Sequence, residues 1–196
     1  MRVLIACEYS GAVRRAFRAL GHDAWSCDLL PAEDGAAQHI QGDVLQAIGE
    51  YSRHSWDLMV AHPPCTHLSV SGARWFKDKL PEQAEALWFV DMLMNQTGIP
   101  RIAIENPVSI ISSRIRKPDQ IIQPWQFGHG ETKATCLWLK GLPKLVATNI
   151  VEGREARVHR MSPGLDRWKE RSRTYAGIAH AMAEQWGNPA QMGLAA

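Results

Sequence analysis

Two apolar runs in this chain stop abruptly at reactive side chains. Leu58-Met59-Val60-Ala61, opened by Asp57, leads into His62-Pro63-Pro64-Cys65, and Arg101-Ile102-Ala103-Ile104 leads into Glu105-Asn106-Pro107. Short unbroken apolar runs of this kind predict strands buried on both faces, as in a parallel sheet. In an open α/β sheet the carboxyl ends of the strands are where ligands bind. A thiol and a carboxylic acid delivered to one edge suit covalent attack on an electron-poor ring that is protonated as it is attacked. Pro63 and Pro64 hold the backbone extended, so the Cys65 thiol is expected to project from a stiff turn.

The rest of the chain supports that sheet. Arg2 to Ala6 predicts a first strand and Glu8-Tyr9-Ser10-Gly11 a turn. A helix follows with Val13, Ala16, Phe17 and Leu20 on one face, closed by Gly21. Asp23 to Cys27 predicts a second strand ending at Asp28, with a loop over Pro31 to Ala37. His39 to Gln41 is a short strand candidate, and Leu45 to Tyr51 a helix candidate. Ser69 to Lys79, with Gly72, predicts a mobile loop. Pro81 opens a helix whose stripe is Ala84, Leu87, Trp88, Met92 and Leu93. Ser109 to Gly130 is expected to be mostly irregular. Lys133 to Leu139 alternates toward β structure, Val146 to Val151 is one more strand candidate, and Tyr175 to Trp186 predicts a last amphipathic helix. The alternation of strands and helices predicts an α/β fold, a mostly parallel twisted sheet with helices on both faces.

A chain of 196 residues fits one domain, 1–196, able to bury a real core. The cysteines, Cys7, Cys27, Cys65 and Cys136, have no CxxC spacing, which argues against a zinc ribbon and for a reducing compartment. Zinc on His62, Cys65 and His67 would lack the separated ligand pair that completes a tetrahedral set. No apolar stretch approaches the roughly 18 residues of a membrane span. The N-terminal Val3-Leu4-Ile5-Ala6 predicts a strand rather than a signal peptide. A cytoplasmic protein is the expectation.

Strand, turn and helix at the N-terminus form a generic cofactor site, where backbone donors meet an anionic group. Only Gly11 is present of a full glycine motif, so the signal rests also on Asp28, placed to bind ribose hydroxyls, and on Asp43, placed to accept from an adenine amine. Ordinary loop acids are the plainer alternative. Cys65 differs from the other cysteines, which suit a buried role: His62, His67 or basic groups in a closing loop would favour its thiolate. Glu105, partly shielded at a pocket mouth, is expected to have a raised pKa and to donate a proton near neutral pH.

With these residues in place, the chain resembles the DNA cytosine carbon-5 methyltransferases. That family places a Pro-Cys nucleophile after the fourth strand and a Glu-Asn pair after the fifth, here Pro64-Cys65 and Glu105-Asn106. The nearest likeness is to short, phage-like members with a Glu-Tyr-Ser-Gly first turn and an Ala-Gly-Ile-Ala-His-Ala-Met-Ala helix, here Ala176 to Ala183. The resemblance implies a Rossmann-like methyltransferase fold with S-adenosylmethionine as methyl donor. It implies catalytic roles for Cys65, Glu105 and Lys133, and support of the Pro-Cys loop by Asn106. It implies cofactor contacts at Cys7, Glu8, Tyr9, Ser10, Gly11, Asp28, Asp43 and Pro63. Three departures stand out. The glycine-rich motif is reduced to Gly11. The arginine-x-arginine strand is replaced by Lys133-x-Thr135. The target-recognition region shrinks to Val151 to Arg173.

The mechanism the family implies is addition of Cys65 to ring carbon-6, hydrogen bonding or protonation of the adjacent nitrogen by Glu105, and methylation of carbon-5. The cytosine must be flipped from a duplex or be single-stranded. Candidate nucleic-acid contacts are Arg74, Trp75 and Lys77; Arg114 and Arg116; and Arg157 and Arg160 within the basic segment 151–173. Solvated surface charge is the alternative for each cluster. A monomer or homodimer with no membrane partner is expected. Rival readings are an exocyclic-amine methyltransferase, which uses a Pro-Pro-aromatic turn where this chain has Cys65, and an inactive binding protein that keeps the fold. A modified methyl donor or a free-nucleotide substrate also stays open.

Overall fold

The computed structural model describes residues 1–50, 56–165 and 167–188, without the side chains of Glu50 and Trp75. Its centre is a sheet of seven strands: β1 (Arg2–Ala6), β2 (Asp23–Asp28), β3 (His39–Gln41), β4 (Leu58–Ala61), β5 (Arg101–Pro107), β6 (Gln120–Ile122) and β7 (Thr135–Lys140). The order across the sheet is β3-β2-β1-β4-β5-β7-β6. The first five are parallel, while β7 runs antiparallel to both neighbours. This is a Rossmann-like open sheet, and the strand order reverses between β1 and β4. A crevice for ligands forms at such a reversal, beyond the carboxyl ends of the strands.

The apolar runs do what their composition dictates. Leu58, Met59, Val60 and Ala61 are all fully buried, as are Val3 to Ala6. One face of the sheet packs on α1 (Ala12–Ala19) and α7 (Ala176–Gly187) through Phe17, Ile178, Met182 and Trp186. The other packs on α2 (Val44–Glu50) and α3 (Leu80–Met94) through Val44, Ala47, Val90 and Leu93. Short helices α4 (Ile111–Arg114), α5 (Arg157–Arg160) and α6 (Arg167–Ser172) complete the fold. Among the described residues no helix is long and apolar enough to cross a membrane.

Four expectations need correction. Val146 to Val151 forms no strand: the Val146 N–H and carbonyl are taken by the Gln185 side chain, and Leu145 is held likewise by Gln120. Ser69 to Lys79 is a 3₁₀ helix over Val70–Asp78, not an open loop, and Ser69 Oγ accepts from the Ser71 N–H at its start. Apolar residues run nearly all round α3, and its buried face is Gln83, Val90 and Leu93, leaving Trp88 and Met92 turned outward. Leu20 follows the last turn of α1 and is exposed. Tyr51, expected to end α2, lies outside the described residues.

Candidate active site

Register builds the site. In the parallel β4–β5 pair Ala61 lies opposite Ile104, so the next residues out, His62 and Glu105, are neighbours at the sheet edge. Ala6 lies opposite Ala61, and the His62 N–H continues the ladder to the Ala6 carbonyl at 2.9 Å. Asp28, Cys7, His62 and Glu105 therefore form one row across the carboxyl ends of β2, β1, β4 and β5. Side chains alternate along a strand, so His62 follows Val60 and Glu105 follows Ala103 toward the α1–α7 face of the sheet.

His62 Nδ1 and Glu105 Oε2 lie 2.7 Å apart, with each side chain only 10% exposed. One strand-end further out, Asn106 donates through Nδ2 to the Pro63 carbonyl at 2.8 Å. This bond joins the two edge turns. It fixes the proline pair that presents Cys65, whose thiol is partly exposed.

The electrostatics reverse two expectations. Burial pushes the Glu105 carboxyl up, but the His62 hydrogen bond and charge, with Lys133, outweigh it and hold the group below the ordinary carboxylate value. Burial pulls His62 down, yet Glu105, with Glu8 behind it, leaves the imidazole above the ordinary histidine value despite Lys133. The proton of this pair thus resides on His62, not on Glu105. The Cys65 thiol is not favoured as thiolate either. Burial pushes it up, the Glu105 charge adds to this, and Lys133 and Arg171 pull the other way. His62, expected to assist Cys65, is engaged with Glu105 instead. Lys133, just before β7, thus acts on all three groups, while its Nζ also donates to the Arg173 carbonyl at 3.4 Å.

The candidate cofactor residues cluster on the β1–β2 side of the row. Cys7 and Gly11 have positive φ, 58° and 68°, which folds the turn back toward the sheet edge. The Glu8 carboxylate accepts from the Val13 N–H at 2.7 Å and the Arg14 N–H at 3.3 Å, so it caps α1. Ser10 Oγ accepts from the Ala12 N–H. Asp28 is half-buried at the end of β2, and its Oδ1 accepts from the Leu30 N–H. Asp43 is exposed and caps α2 by accepting from Leu45 and Gln46 N–H. Cys7 has a thiol raised far above the ordinary value by burial first and by the Asp28 charge second, so it is a neutral wall of the crevice.

The basic residues divide. Arg74 and Lys77 are exposed on the 3₁₀ helix that follows Cys65, while the Trp75 side chain lies outside the described residues. Arg114 and Arg160 are exposed on α4 and α5. Arg116 pairs with Asp119 at 2.8 Å and donates to the Leu139 carbonyl, toward the opposite edge of the sheet from Cys65. Arg157 pairs with Glu131 and lines an open cleft of about 490 Å³ between α1 and α7.

Three features went unread in the sequence. The pairing of His62 with Glu105 is one, since it depends on the register of β4 against β5. Arg14, 1% exposed, lies under Gly11 and donates to Ser26 Oγ at 2.7 Å and Asp34 Oδ1 at 2.6 Å. Helix α6 lies across the site: Trp168 packs on Tyr9 at 5.9 Å, Arg171 influences Cys65, and Arg173, just after the helix, binds Glu33 through two contacts of 2.7 and 2.8 Å. No sequence signal pointed to these three contacts. Among the described residues no group of three or more His, Cys, Asp or Glu side chains is placed to hold a metal ion.

No protein-family model and no curated protein sequence matches this chain. Among solved structures it is similar to the crystal structure of a mutant of Spodoptera frugiperda DNMT2, at 14% identity and a TM-score of 0.48. The similarity covers 80% of this chain and 55% of that one, so this chain spans about half the length of its neighbour.

Proposed function

We propose that this protein is an S-adenosylmethionine-dependent cytosine carbon-5 methyltransferase acting on DNA. The observation that carries the reading is the convergence of Cys65 and Glu105, beyond the carboxyl ends of β4 and β5, with Lys133 just before antiparallel β7, and with Asn106 holding the Pro63 carbonyl. An exocyclic-amine methyltransferase would have no use for a thiol there.

The cofactor residues fit the donor in one respect that matters. Asp28 ends β2 half-buried with one oxygen engaged, beside a turn bent by two positive-φ residues. Asp28 would hold the ribose hydroxyls, the Tyr9–Gly11 backbone the amino-acid end, and the Asp43 side the adenine. S-adenosylmethionine, when bound, supplies the electrophilic methyl group that carbon-5 takes up. The chain's own residues do the rest. The Cys65 sulfur, as thiolate, adds to carbon-6 and makes carbon-5 electron-rich. Glu105 engages ring nitrogen 3, and Lys133 balances its charge. Burial of the row excludes water and strengthens each of these contacts. Arg74, Lys77, Arg114 and Arg160 are exposed and would meet phosphates.

Incubation with labelled S-adenosylmethionine and mixed-sequence DNA, then nucleoside analysis, tests the reading. Label in 5-methylcytosine is expected, and a 5-fluorocytosine oligonucleotide should trap an adduct that Cys65→Ser abolishes. Label in an amino-methylated base, or methyl transfer without a trappable adduct, would overturn it.

A further inference from the structure

Glu105 cannot by itself supply the proton that ring nitrogen 3 needs, because His62 keeps its carboxylate ionised. The proton sits next door. His62 is clamped at both ends: its backbone N–H is in the sheet ladder with Ala6, and its Nδ1 lies 2.7 Å from Glu105 Oε2. The other ring nitrogen, Nε2, is buried with no hydrogen-bond partner among the described residues. Imidazole is therefore tied to Glu105 alone. The charged groups around it are Glu105 on β5, Glu8 in the β1–α1 turn and Lys133 before β7.

Resting on the cytosine methyltransferase reading, we propose that His62 is a positioning residue for Glu105, holding one carboxylate oxygen, leaving the other for ring nitrogen 3, and relaying its Nδ1 proton through the carboxylate to that nitrogen. The step balances. With the Cys65 proton already lost to solvent, the sulfur pair forms the bond to carbon-6, and the carbon-5–carbon-6 π pair moves to join carbon-4 and carbon-5. His62 first passes its Nδ1 proton to Glu105, whose carboxyl group turns to present it, and as the carbon-4–nitrogen-3 π pair settles on nitrogen 3 that nitrogen takes this same proton from Glu105. His62 ends neutral, Glu105 ends ionised and nitrogen 3 ends protonated. After carbon-5 is methylated it loses its hydrogen to a water acting as base. The sulfur–carbon bond breaks, thiolate leaves, and the nitrogen-3 proton returns along the same path. No oxidant or reductant is consumed.

The test has one arm on the free protein and one on turnover. In the free protein, NMR titration of the imidazole should find His62 protonated above the ordinary histidine range, and Glu105→Gln should move that titration down. In turnover, wild-type kcat should fall on the alkaline side as His62 loses its proton. His62→Gln, which can still donate to Glu105, should lower kcat by about 100-fold, the lower end of general acid catalysis, with little change in KM and with that alkaline limb gone. A neutral His62 at pH 7 in the wild type overturns the relay, and this arm needs no variant to fold. Methylation by His62→Gln with the wild-type pH profile also overturns the relay, and leaves the function standing. Absence of any cytosine methylation by the wild-type protein overturns the function and the relay with it.

Discussion

Alanine at position 11 should be much more damaging than alanine at position 21, although both glycines have left-handed backbones, φ 68° and 80°. Gly21 closes α1 in open space, with nothing within 4 Å of where a Cβ would stand. Gly21→Ala therefore costs only the left-handed conformation, about 1–2 kcal/mol. At Gly11 the new Cβ would overlap Arg14 Nη2 and stand 2.9 Å from Asp34 Oδ2. Arg14 has no free space to swing into: it is 1% exposed and bound to Ser26 and Asp34. Burial pushes the Asp34 carboxyl up, but Arg14 and Arg15 overcome that and hold it well below the usual range, a sign of a tight pair. Displacing one such charge-assisted bond costs about 1.5–3 kcal/mol. Gly11→Ala should then cost about 2.5–5 kcal/mol in all. Urea unfolding of both variants at one pH, with unchanged m, measures the difference as a shift in midpoint. If the two variants agree within about 0.5 kcal/mol, the normal scatter between independent sites, Arg14 is not the filler beneath the turn.

Asn106→Ala strips the buried Pro63 carbonyl of its donor and should cost about 1–3 kcal/mol in urea unfolding, with slower adduct trapping at Cys65; unchanged stability and trapping would show that the prolines alone hold the turn. Alkylation of Cys65 by iodoacetamide, followed by peptide mapping, should still be accelerating above the ordinary thiol range, because burial and then Glu105 raise the thiol. Glu105→Gln removes a negative charge, so the thiol should ionise at lower pH and react faster at pH 8; a slower reaction refutes the coupling. Arg173→Ala loses a pair whose side chains are 34% and 39% exposed, so its stability change should stay under about 1 kcal/mol. The same variant should speed both Cys65 alkylation and proteolytic nicking within 161–173, and unchanged rates would mean that α6 does not cover the thiol.

The sheet was legible because its strands carry an unambiguous signal. Leu58 to Ala61 and Ile102 to Ile104 are apolar without a break, and no helix of that length would be bounded by Pro63 and Gly98. The edge at which Cys65 and Glu105 emerge follows from the general rule that ligands bind at the carboxyl ends of parallel strands. Partnership across strands was not legible. That His62 meets Glu105 requires the register Ala61 to Ile104, which no local pattern encodes. The burial of Arg14 was not legible either, because its partners, Ser26 and Asp34, belong to β2 and the loop beyond it. The face of α3 was misjudged because Trp88 and Met92 are as apolar as the residues that are buried. Val146 to Val151 was expected as a strand, but the side-chain amide of Gln185 claims the backbone groups of Val146, and that of Gln120 those of Leu145 just before it.

Helix α6 comes from the basic segment proposed for phosphates, yet its footing is on the β1–α1 turn proposed for the methyl donor. Trp168 rests on Tyr9, Arg173 grips Glu33, and the Glu33 N–H is itself bonded to the Tyr9 carbonyl at 2.9 Å. On the proposed reading, swinging this beam away from the thiol would pull on the turn assigned to the methyl donor in the same motion. Admission of a base and custody of the donor would then hang from one tyrosine.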